Sequence, residues 1–231
     1  MKVKKDLKKI FLIIGIVAVG IFLLFSVIST TINIVSNITI IGLNSSIFSN
    51  IWSIFKTILI YGFMCFFLIY ELVKKSNKRD KVINIIVFVV FCILALSSFI
   101  DIFKVIHTLT KYGHYYNGIR IVSCIISILS SFLKIGLFVL FGINTMGLAL
   151  NKNKATKVLT IIILSLIVLV FVNSLITTIL NLIIASNIRN VLSTLSSSIA
   201  SFALAIFQAS LAYIIYNKIK NYKEPDKIEE A

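Results

Sequence analysis

The chain has 231 residues, 59% of them hydrophobic and 13% charged, with a formal net charge of +15. So apolar a composition excludes an ordinary soluble domain, and the long apolar blocks leave no length for a separate one. The positive charge lies between the blocks, so it reads as a topology signal and gives no reason to expect a nucleic-acid partner.

A hydrocarbon core of about 30 Å is crossed by about 20 apolar residues. Residues 1–9 form a basic N-terminus carrying Lys2, Lys4, Lys5, Lys8 and Lys9. The first predicted span covers residues 10–36. Its apolar run continues past Ala18-Val19-Gly20 through Ile21 to Phe25, so a retained span is expected here and not a cleaved signal peptide. The second span, residues 51–73, ends at the cluster Lys74, Lys75, Lys78, Arg79 and Lys81. Glu71 precedes the first two of these by three and four residues, the spacing of a local helical ion pair.

The third span is predicted over residues 82–103. It is followed by a gap with Lys104, His107, Lys111 and the run Lys111-Tyr-Gly-His-Tyr-Tyr116, which fits interfacial anchoring better than metal binding. The fourth span, residues 119–150, exceeds the length needed and is expected to tilt or project. Lys152, Lys154 and Lys157 separate it from the fifth, residues 158–186. The sixth covers residues 191–216, and a charged tail, residues 217–231, closes the chain. The expectation is an all-α, polytopic membrane protein in which residues 10–216 form one six-helix transmembrane domain.

Lysine and arginine favour cytoplasmic loops. The two termini and the second and fourth gaps hold 17 of them, against 4 in the other gaps. Both termini are therefore expected in the cytoplasm, with anionic headgroups met on that face. Richness in Lys, Ile and Asn suggests a bacterial source and a plasma-membrane location.

Aligning the odd spans on Lys9, Lys81 and Lys157 brings Ser26, Ser98 and Ser174 into one column, and Ser29, Asp101 and Thr177 into another. In the first and third, Thr30 and Thr178, then Asn33 and Asn181, agree as well. Aligning the even spans on Lys74, Lys152 and Lys218 matches Ser53, Ser131 and Ser197, then Lys56, Lys134 and Ala200. These columns suggest three tandem helical hairpins, a plan some transporters use.

The candidate polar residues, Ser26, Ser29, Ser98, Asp101, Ser131, Lys134, Ser174, Thr177, Asn181 and Ser197, all fall in the outer half of the predicted bundle. A water-filled vestibule or hydrogen bonding between helices would satisfy them equally well. The cytoplasmic half is expected to be apolar. Asp101 and Lys134 lie at one depth, about 27–30 Å from the cytoplasmic lysines, and are expected to interact. Ser193, Ser197, Ser201, Ala205 and Ala209 form a small-residue stripe on the sixth span, which should pack closely against another helix or subunit.

No catalytic, nucleotide-binding or metal motif occurs, so neither an enzyme, nor a cofactor, nor a metal is expected. Cys65, Cys92 and Cys124 lie far apart in apolar segments, as small hydrophobes do. The single proline, Pro225, is in the tail, so no span is broken by one. Two functions stay open. One is a small-solute or ion transporter, or the membrane subunit of one. The other is a non-catalytic interaction, assembly or immunity protein. Beyond the bilayer, a second copy or another membrane subunit is the candidate partner.

Overall fold

A computed structural model describes residues 2–41, 45–73, 81–150, 153–185 and 187–220 of the chain. The described residues contain six α-helices and no strand: α1 Lys2–Ile41, α2 Ser45–Val73, α3 Lys81–Tyr112, α4 Gly118–Ala149, α5 Asn153–Ile184 and α6 Ile188–Lys220. Each is long and apolar enough to cross a membrane, so the chain is a multi-pass membrane protein. A helix satisfies every backbone group within itself, which hydrocarbon demands, and proline interrupts none of the six.

The helices outrun the apolar blocks that seeded them. α3 continues nine residues past the predicted end at Phe103, carrying Lys104, His107 and Lys111 on its last turns. A single 3-10 turn, Gly113–Tyr115, then leads into α4. Asn117 caps α4 by accepting a hydrogen bond from the Arg120 backbone N–H at 2.9 Å. Asn187 caps α6 in the same way through Asn190 N–H, also at 2.9 Å. The end of the bundle with these turns is termed the far end, and the end with Lys8 and Lys218 the basic end. The lysine cluster at residues 74–79, Lys152 and the tail beyond residue 220 lie outside the described residues.

Consecutive helices pack as antiparallel hairpins, α1 on α2, α3 on α4 and α5 on α6. Between hairpins the seams are unequal. α4 packs on α5, and α6 closes back on α1, but α2 and α3 touch at few positions. Three equivalent hairpins would give three equivalent seams, so any threefold relation is broken at α2 and α3. The arrangement is a ring of six helices with one loose joint.

α6 is the most buried helix. Half of its most apolar window is buried inside the bundle, against 22–28% for the other five. Its fully buried residues include Ala200, Ala203, Phe207, Ser210, Leu211 and Ile214, which recur at three and four residues as an interhelical seam requires. α1 meets this line at Gly15, where an added Cβ would stand 3.2 Å from Ser210 Cβ and 2.9 Å from Leu68 Cδ1. Aromatic rings fill the rest of the interior. Tyr61 lies against Phe22 and Phe207 at centroid distances of 4.5 and 6.3 Å, and Phe91 stacks on Phe141 at 4.9 Å. The outer faces expose large apolar side chains such as Phe66, Val82 and Ile161 on every side, the surface that lipid covers and water would not tolerate.

Candidate functional site

In a helix, serine and threonine can return their hydroxyl to the carbonyl four residues back. Three of the ten candidate polar residues make such bonds, and Ser26 and Ser174 accept them through their carbonyls. Thr30 donates to the Ser26 carbonyl, Ser98 to Leu94, Ser131 to Ser127, Thr177 to Asn173 and Thr178 to Ser174. These groups need no water to be satisfied.

Others tie helices together. Ser29 Oγ lies 2.7 Å from Ser197 Oγ and 3.2 Å from Ser193 Oγ, and it donates to the Ser193 carbonyl at 3.2 Å. Ser193 Oγ in turn donates to Asn33 Oδ1 at 2.9 Å. This is the polar stitch between α1 and α6 near the far end. A second stitch joins α4 to α5, where Ser123 donates to Asn181 Oδ1 at 3.1 Å and Asn173 donates to the Ile126 carbonyl at 3.3 Å. The repeat columns therefore do not converge on one site. Ser29 turns to α6, Ser98 to its own helix, and Asn181 to α4.

Of the small-residue stripe, Ser193 is buried, Ser201, Ala205 and Ala209 are half-buried, and Ser197 is exposed apart from its bond to Ser29.

The expected apolar character of the basic half is overturned. Buried there are Glu71, Asn84, Asn144, Thr145, Thr160, Gln208 and Ser210. Asn144 Nδ2 donates to Thr160 Oγ1 at 3.0 Å across the α4–α5 seam. Asn144 Oδ1 and Asn84 Nδ2 are buried without a hydrogen-bond partner. A high average hydropathy hides single amides, and Asn84 and Asn144 each interrupt an apolar run. That interruption is the signal that could have found them.

Glu71 has partners beyond its local reading, whose Lys74 and Lys75 lie outside the described residues. Its carboxylate accepts a 2.6 Å hydrogen bond from Lys218 Nζ of α6 and lies 4.0 Å from Lys8 Nζ of α1. The Lys218 ammonium also sits over the Phe67 ring, 5.3 Å from its centroid. Helix spacing considers only neighbours in sequence, whereas the ring brings the ends of α1, α2 and α6 together.

The charged residues near the far end form a different group. Lys56 on α2 donates to Ser97 Oγ on α3 at 2.7 Å, bridging the loose joint. Asp101 accepts from Lys104 on its own helix at 3.2 Å, with about half of its side chain exposed. Lys134 makes neither a hydrogen bond nor an ion pair within 4.0 Å among the described residues, although Asp101 acts on it electrostatically. Asp101 and Lys134 thus interact through space without a direct ion pair, because Lys104 offers the carboxylate a nearer partner one turn away.

Lys134 shares a face of α4 with the buried Ser130, Ser131, Leu137, Phe138 and Phe141, so it points into the bundle. Chemically this group can hold charge or bind it. It has no nucleophile–base arrangement, and none of its members is a soft metal ligand. No family model, curated protein or solved structure matches this chain.

Proposed function

We propose that this multi-pass membrane protein is a transporter of a small solute, or the membrane subunit of one, with both termini in the cytoplasm of a bacterial cell. One observation carries the reading: Lys134 lies on the inner face of a membrane-spanning helix and, among the described residues, has no hydrogen bond or ion pair within 4.0 Å, only the longer-range field of Asp101. A charge at membrane depth is costly and tends to mark a solute or ion pathway. A bundle serving only as a scaffold has no use for it. The loose α2–α3 joint supports the same reading, since an alternating route needs one seam that can part.

Uptake by proteoliposomes holding the purified chain tests it. Solute entry that Lys134→Gln reduces at least tenfold supports the reading, and equal entry with and without protein refutes it. The orientation rests on the lysine distribution and is checked by thiol labelling of Ser76→Cys in intact cells. Labelling from outside would overturn it.

The hydrogen-bonded stitches favour a second reading. Ser29, Ser193 and Ser197 close α1 on α6 much as a packed interaction protein would. On that reading the partner is a second copy or another membrane subunit, and the proteoliposomes take up nothing.

A further inference from the structure

We infer that Lys134 and Lys56 approach α3 near Ser97 and Ser98 to form a binding site for an oxyanion. The inference deepens the transport reading and rests on it for the identity of the solute, while the binding itself can be measured independently.

Depth comes first. Lys56 Nζ reaches Ser97 Oγ at 2.7 Å, which fixes one ammonium against α3. The register of α3 on α4 is set by Gly142 lying against Phe88 and Phe91, and by the contacts of Phe91 with Phe138 and Phe141. In antiparallel helices that register carries Lys134 level with Ser97 and Ser98. The two lysines come from α2 and α4, the helices on either side of α3 in the ring.

The charge balance comes next. Two ammonium groups meet one nearby carboxylate, Asp101, and that carboxylate is already hydrogen-bonded to Lys104. A cation would add to the repulsion, and a neutral molecule would leave the field of Asp101 as the sole balance to Lys134. An anion of two or more oxygens complements both lysines, as in charge-assisted recognition generally. Ser97 accepts from Lys56 and keeps its own hydroxyl proton, so it can donate to the same ligand. Ser98 is committed to the Leu94 carbonyl and completes the buried wall. Snorkelling to the interface would suit a lysine on an outer face, but Lys134 stands among buried residues of α4. The oxyanion could be a free solute or a lipid phosphate, since both present the same oxygens.

The test uses the full-length chain in phosphatidylcholine nanodiscs at constant ionic strength. Melting temperature is followed while inorganic phosphate is titrated, and again with phosphatidylglycerol in the disc. A saturable rise with phosphate is expected, with apparent affinity at least tenfold weaker in Lys134→Gln and in Lys56→Gln. It should be retained in Lys134→Arg, and in Lys111→Gln as a control for surface charge. If stabilisation comes from phosphatidylglycerol alone and still depends on Lys134, the oxyanion is a headgroup. Should Lys134→Gln fail to fold, Lys56→Gln carries the same comparison.

No stabilisation by either probe, or stabilisation indifferent to both lysines, overturns the site. The two readings also fail separately. Lysine-dependent binding without uptake removes transport and leaves the site. Uptake that survives Lys134→Gln without oxyanion binding does the reverse.

Discussion

Lys218, at the end of the last helix, donates to Glu71, at the end of the second, across 2.6 Å, and only 3% of the Glu71 side chain is exposed. Buried ion pairs of this kind add little net stability against an apolar substitute, yet removing one partner costs about 3–5 kcal/mol. Glu71→Gln or Lys218→Met alone should therefore lower the unfolding free energy by about that amount. The double variant should lose less than the sum, because no charge is left stranded. Additive losses in detergent or bicelle unfolding would show the pair to be uncoupled.

Gly15 is the second point. Its missing Cβ lets α1 close on Ser210 and Leu68, whereas Gly20 on the same helix has open space around it. Gly15→Val should destabilise by about 1–3 kcal/mol through overpacking. Gly20→Ala should be neutral or mildly stabilising, since alanine favours the helix. Melting temperatures of the two variants separate the cases, and equal shifts would contradict the close crossing.

The Ser29 hydroxyl faces three oxygens on α6, the Ser193 carbonyl and the Ser193 and Ser197 hydroxyls. An interhelical hydrogen bond in membranes contributes about 0.6 kcal/mol. Ser29→Ala should cost about 1–2 kcal/mol on that scale, while Ser165→Ala, whose hydroxyl bonds within its own exposed turn, should cost almost nothing. Equal costs would mean that the α1–α6 stitch does not hold.

The asparagines give the opposite sign. Asn84 Nδ2 is buried without an acceptor, so its desolvation is not offset. Asn84→Leu should leave stability unchanged or raise it. Asn173→Leu should lower it, because Asn173 reaches the Ile126 carbonyl on the neighbouring helix. Reversed signs in thermal unfolding would show that Asn84 has a partner after all.

How far the sequence foretold this differs by level. Six spans were legible because hydrocarbon imposes length and polarity so strictly that composition alone reveals them. The serine columns pointed to polar groups near the far end but not to those of the basic half, and hydroxyls satisfied within a helix or across a seam look alike in sequence. Ser29 and Thr177 occupy matched places and do different things, one bonding across to α6 and the other to its own helix. The long-range partner of Glu71 was missed because it lies 147 residues away and only the closure of the ring brings the two together. Asn84 and Asn144 escaped because a single amide hardly moves an apolar average. Lys104 was placed beyond a span that in fact continues to Tyr112, which is why Asp101 seemed to need Lys134.

The closure of α6 on α1 has a consequence for how the protein is made. Ser29 and its partners are separated by 164 to 168 residues of a 231-residue chain. At about 5–20 residues per second, ribosomes need roughly 10 to 30 seconds to span that interval. Through that time the first helix resides in the bilayer with its far-end hydroxyls turned to lipid or to its own carbonyls. A nascent chain arrested before Ile188 would hold five inserted segments and no closing partner, the very species that quality-control proteases can recognise. Biogenesis of this ring is therefore all-or-none in its last helix, however early the others have entered.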